Sequence, residues 1–168
     1  SHGFQIDLSD DITLDNVFIH NSGYSSTSSY GISISDSSSI TIKNSSKVAN
    51  SKSYTLYVDT VSSLVVQNSQ FIGKELVKID ESNGFLIENS TFTGNSQGDY
   101  SIYIKSTSEA TFRNNVIMNP SSDASSPDNG GILLSSSSFN LVKNNTVTNS
   151  GRSGIHLKSG SVNNEIYD

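Results

Sequence analysis

Along the chain, short runs alternate apolar and polar residues, and one apolar-x-apolar pair keeps returning. Its copies are Phe4/Ile6, Ile32/Ile34, Leu56/Val58, Val77/Ile79, Ile102/Ile104 and Ile132/Leu134. Ten residues after the first member of each pair stands another hydrophobe: Leu14, Ile42, Val66, Ile87, Phe112 and Val142. An Asn follows two places later, giving the row Asn16, Asn44, Asn68, Asn89, Asn114 and Asn144, spaced by 28, 24, 21, 25 and 30 residues. Alternation with period 2 predicts strands, because a helical face needs a period of 3.6. A constant ten with a variable remainder predicts a rigid two-strand unit joined by loops of changing length. Repeats of this length, built from short strands, predict an all-β solenoid in which equivalent strands stack in parallel.

Stacking also gives the Asn row a meaning. Equivalent residues of successive coils lie about 4.8 Å apart. Their side-chain amides are then expected to form a hydrogen-bonded ladder buried in a tight turn. The sequons at Asn44, Asn89 and Asn144 fall on this row, so burial is expected to keep them from carrying glycans.

Composition narrows the class of partner. The 168 residues are 33% hydrophobic and only 15% charged, with a net charge of −6. An acidic chain without a basic stripe argues against nucleic acid. No run of about 18 apolar residues is present to span a membrane. The chain has no cysteine, which excludes disulfides and thiol chemistry. His2, His20 and His156 fall in different coils without metal-ligand spacing, and Asp123 and Asp128 fall in a loop, so neither metal nor cofactor is expected.

The Asn row, together with the segments GISIS (31–35), GILLS (131–135) and GIHLK (154–158), resembles the right-handed parallel β-helix superfamily. That superfamily includes pectate lyases, polygalacturonases, mannuronan epimerases and phage tailspikes. The resemblance spans essentially the whole chain and implies a single domain, residues 1–168, of about seven coils. It further implies that the first strand of each coil faces a groove, walled here by loops 22–30, 46–53, 95–100 and 119–130. An extracellular, cell-surface or virion location is implied in the same way. Neither end carries an amphipathic capping helix, so the chain is expected to be a segment of a longer protein, or to be capped by another chain.

Alternation assigns the outward residues of the first strands to two rows. One is Gln5, Ser33, Tyr57, Lys78, Tyr103, Leu133 and His156; the other is Asp7, Ser35, Asp59, Asp80, Lys105, Ser135 and Lys158. Asp59 and Asp80 are neighbours, a pair eligible for glycoside hydrolysis. Like charges so close disfavour joint ionisation, although Lys78 and Lys105 flank them and offset the repulsion. Tyr57, Tyr103, Lys78 and Lys105 instead suit proton abstraction beside a uronate carboxylate, where a cation neutralises the acid and a base removes the proton. Tyr30, Tyr54 and Tyr100 each precede an inward pair by two residues, in a column that Glu75 interrupts. With Tyr57 and Tyr103 these three form platforms for sugar rings, or the corner tyrosines shield the sheet edge. His156 and Lys158 extend the candidate binding surface.

The chain lacks the Tyr-Gly-x-Asp-Pro-His stretch of mannuronan epimerases and the Gly-His-Gly and Arg-Ile-Lys segments of polygalacturonases. Its two arginines, Arg113 and Arg152, lie outside the first-strand rows, unlike the arginines through which pectate lyases act. Two functions are therefore expected. The first is a face that binds or processes an extended polysaccharide, as a lyase, epimerase or glycoside hydrolase. The alternative is a non-catalytic structural or receptor-binding rod of a tailspike or adhesin, which predicts a homotrimer or a longer parent chain.

Overall fold

A computed structural model describes residues 3–20, 22, 30–49, 51, 53–96, 100–120 and 129–167. His2, Asp123, Asp128 and parts of the 22–30, 46–53, 95–100 and 119–130 loops lie outside these residues. Every described strand pair is parallel, and the strands wind into about six turns closed by the final pair Ser153–Lys158 and Glu165–Tyr167. This is the expected all-β solenoid, one turn shorter than the sequence count of about seven.

The inward hydrophobes stack in the predicted register. Ile32 pairs with Leu56, Leu56 with Val77, and Val77 with Ile102, while Leu14, Ile42, Val66, Ile87, Phe112, Val142 and Ile166 form the column of the second strands. Ile166 comes one residue late in sequence yet keeps its place, because the turn at Ser159 and Gly160, both at positive φ, absorbs the extra residue. Most of these side chains are fully buried. Each contributes about 1.5–3 kcal/mol when removed from water, which makes the columns the main cohesive element.

Each coil also has a third strand, an element missing from the two-strand expectation. Phe18–His20, Lys47–Ala49, Gln70–Gly73, Thr91–Gly94, Val116–Met118 and Thr146–Thr148 form a second sheet. Residues 47–49, assigned to a loop from sequence, belong to it. Its inward column of Ile19, Val48, Phe71, Phe92, Ile117 and Val147 closes the core, with Phe71 and Phe92 stacked 5.2 Å apart.

The Asn row carries only part of the expected ladder: Asn144 Nδ2 donates to Asn114 Oδ1 at 3.3 Å, but on the surface and not in a buried turn. Asn16, Asn44, Asn68, Asn89, Asn114 and Asn144 all have φ between 49° and 56° and are exposed. Asn recurs there because a sharp corner needs the left-handed conformation, which Asn tolerates better than other side-chain-bearing residues. The buried ladder lies just beyond, at Ser46, Ser69, Ser90, Asn115 and Asn145. Asn115 Oδ1 accepts from Ser90 N at 3.0 Å, and Asn115 Nδ2 donates to Ile87 O and to Asn145 Oδ1, each at 2.9 Å. The amide-ladder expectation is therefore displaced by one residue in most coils. The sequons of Asn44, Asn89 and Asn144 stand on an exposed edge, so burial does not exclude glycans there.

A second ladder runs through Ser9, Ser37, Ser82, Thr107, Ser137 and Ser161. Ser37 Oγ accepts from Ser9 N at 3.2 Å, and Ser82 Oγ, Ser137 Oγ and Ser161 Oγ accept in the same way from Val61, Thr107 and Ser137. Each of these hydroxyls donates to a carbonyl two or three residues upstream, as Ser82 does to Asp80 O at 2.7 Å. Buried turns are thus satisfied by hydroxyls, as the cost of an unpaired buried amide requires.

Candidate functional site

The first strands carry the candidate site because strict parallel register brings their outward residues into files. Tyr57 pairs with Ser33 and with Lys78, and Lys78 with Tyr103; Asp59 pairs with Asp80, and Asp80 with Lys105. Tyr54 stands beside Glu75, and Tyr100 beside Gly130. The predicted files are present. His156 and Lys158 lie on the same sheet, but Leu133 and Ser135, both buried, separate them from Tyr103 and Lys105. They are not part of the same cluster.

Within the cluster the side chains are committed to one another. Asp80 receives both lysines: Lys78 Nζ lies 3.2 Å from Oδ2, and Lys105 Nζ lies 3.0 Å from Oδ2 and 3.3 Å from Oδ1. Asp80 is 7% exposed, so the two ammonium groups converge on a carboxylate sunk into the sheet. Its hydrogen bond and charge hold the Lys105 ammonium above the usual lysine range. Lys78 Nζ also sits 5.2 Å from the centre of the Tyr57 ring, within cation–π reach.

The tyrosines pack as a group. Tyr30 and Tyr57 are stacked, 4.5 Å apart and 8° from parallel, and Tyr54 is tilted against both at 6.3 Å. Tyr100 and Tyr103 form a second pair at 4.7 Å and 52°. Tyr30 therefore covers one face of the Tyr57 ring, and Lys78 stands over the ring as well. The expectation that Tyr57 is an open platform for sugar stacking gives way to a ring with one face covered and its hydroxyl bonded to Asp59.

Burial pushes the Tyr57 phenol up to about 12, helped by the charge of Asp59, by Tyr30 and Asp80, and by a hydrogen bond to Asp59. Burial also raises Tyr54, together with charge and hydrogen bonding from Tyr100 and the charge of Glu75; Tyr30 is raised by burial, Glu75 and Asp59. These phenols remain protonated at neutral pH, and Lys105 remains an ammonium. The shifts make these groups poorer general bases than an unperturbed phenol or amine. The cluster can instead donate and accept hydrogen bonds across a polar, aromatic-edged surface.

Glu75 belongs to this surface, although the sequence showed it only as an interruption in a tyrosine column. Only Lys74 separates its strand from the preceding third strand, Gln70–Gly73, so this one coil joins its third and first strands without a loop. Elsewhere the cations are also engaged: Arg113 Nε donates to Glu88 Oε2 at 2.6 Å on the outward face of the second strands, and holds that carboxyl below its ordinary range. Among the described residues there is no helix long and apolar enough to cross a membrane.

No curated protein matches the chain. The family described as the right handed beta helix region matches residues 2–168. With its parallel coils, its three-strand turns and a family match along nearly the full length, the chain belongs to the right-handed β-helix family.

Proposed function

We propose that the outward face of the first sheet, from Tyr30 to Lys105, binds an extended polysaccharide, with the coil stack as its rigid backing. The observation that carries this is the concentration of Tyr30, Tyr54, Tyr57, Tyr100 and Tyr103, with Lys78 and Lys105, on one face of consecutive coils. Such a surface is long and flat, and its phenol edges supply both donors and acceptors along with an apolar body. The repeat of about 4.8 Å between coils is close to the length of one sugar unit in an extended chain, so hydroxyls of successive sugars can meet successive coils.

Binding is favoured over processing because Lys78, Lys105 and Asp80 are ion-paired to one another and one face of Tyr57 is covered by Tyr30. An extracellular, cell-surface or virion location is part of the same proposal. A titration against a panel of soluble polysaccharides tests it. Binding that weakens at least roughly tenfold in Tyr57→Ala supports the assignment, as expected for loss of a central aromatic contact. No binding to any member of the panel removes it.

The interior ladders favour a second role as well. Hydrogen-bonded hydroxyl and amide columns along the axis make a stiff rod, suited to presenting a receptor-binding face. Light scattering that shows a homotrimer would support the tailspike-like form of this role.

A further inference from the structure

We infer that the ligand of this face is an uncharged polysaccharide, and that Asp80 is the residue that sets this preference; the inference rests on the polysaccharide-binding proposal above. An acidic polymer is recognised when cations reach its carboxylates, preferably in pairs and with directed hydrogen bonds. The two cations placed centrally on this face are already satisfied. Lys78 and Lys105 both point to Asp80, at 3.2 and 3.0 Å, and Lys78 is further held against the Tyr57 ring. A uronate would have to displace Asp80 from both, leaving a carboxylate that is 7% exposed without its counter-charges.

The remaining charges act in the same direction. Asp59, Glu75, Asp80 and Glu81 outnumber Lys74, Lys78 and Lys105 on this stretch, and the chain carries −6 overall, so a polyanion approaches against an unfavourable field. Arg113, the side chain best shaped for a carboxylate, is bound to Glu88 on another face. The tyrosine edges, in contrast, need no charge on their partner. Hydroxyl-rich neutral chains can exchange hydrogen bonds with them at no electrostatic cost.

The test compares wild-type protein with Asp80→Asn, using neutral β-linked glucan, mannan and xylan oligosaccharides and, separately, polygalacturonate and alginate oligosaccharides. Wild type should bind at least one neutral series and bind uronates roughly tenfold more weakly or worse. Asp80→Asn releases both lysines and should gain roughly tenfold for uronates, the size of one added charge-assisted contact. Wild-type preference for a uronate, or no uronate gain in a folded Asp80→Asn protein, overturns the inference while leaving polysaccharide binding intact. Failure to bind any series overturns both. A salt titration of the wild type guards against misfolding of the variant. Neutral binding should stay flat as the Debye length falls from ~30 Å to ~10 Å, and a steep loss would contradict the inference.

Discussion

Tyr30 lies flat against Tyr57, 4.5 Å between ring centres and 8° from parallel, although the two belong to successive coils. The contact exists because parallel register leaves corner and mid-strand side chains of adjacent turns at stacking distance. It also covers one face of the Tyr57 ring, leaving the edges of the stacked pair as the part open to a partner.

Burying these phenols links them to stability at alkaline pH. Tyr57 is pushed up to about 12 from an ordinary value of 10.0, so the folded state holds its proton more tightly than the unfolded chain. Its contribution is complete below about pH 10 and is lost as pH rises toward about 12. The urea midpoint should therefore fall across this window, and fall less steeply in Tyr57→Phe. Equal slopes for the two proteins would show that Tyr57 is not linked to folding.

Two adjacent asparagines should behave as opposites. Asn115→Ala strips partners from buried Ser90 N and Ile87 O and should cost about 2–4 kcal/mol. Asn114→Gly keeps the corner at φ 55° and loses only the exposed 3.3 Å hydrogen bond from Asn144 Nδ2, so it should stay within about 0.5 kcal/mol. Urea denaturation of the two variants measures the difference, and a larger loss at Asn114 would place the ladder at the wrong residue.

Thr60 is β-branched, exposed and held at φ 54°, where a branched side chain is strained. Thr60→Asn brings it into line with the Asn corners and should stabilise by about 0.5–1 kcal/mol in the same assay. Destabilisation would mean that the Thr side chain supplies a contact outweighing the strain.

Coil stacking is tested by a pair of glycines in one column. A Cβ on Gly131 would lie 2.5 Å from Gly154 O and from Val147 Cγ1, whereas one on Gly154 meets nothing within 4 Å. Gly131→Ala should cost about 1–3 kcal/mol, and Gly154→Ala should remain within about 0.5 kcal/mol. Thermal melts of both variants decide it; equal behaviour would argue against the close approach of these turns.

Much of the architecture was readable in the chain. The ten-residue offset between inward hydrophobes places two strands per coil because register cannot slip without exposing the whole inward set. The third strand was harder to see, since its single inward residue, such as Val48 or Ile117, gives too little alternation to stand out. The hydroxyl ladder was hidden for another reason. Ser37, Ser82 and Ser137 each follow the second member of an inward pair by three residues, but in a chain so rich in serine the offset does not draw attention. The ladder at Asn115 and Asn145 was masked by the preceding Asn114 and Asn144, which carry the corner.

The candidate face was legible as files of residues but not as contacts. Alternation placed Tyr57, Lys78, Asp80, Tyr103 and Lys105 on one surface. Only side-chain geometry could show that Asp80 takes both lysines, or that Tyr57 is covered by Tyr30. Those two commitments are the reason recognition, rather than proton abstraction, is the proposed role.

The most direct check is an NMR titration with a neutral oligosaccharide from the series that binds. Ring signals of Tyr30, Tyr54, Tyr57, Tyr100 and Tyr103 should shift together along one saturating curve, while those of Phe139 and Tyr167 stay still. Shifts confined to the second or third strands, or none at ligand excess, would contradict recognition by this face.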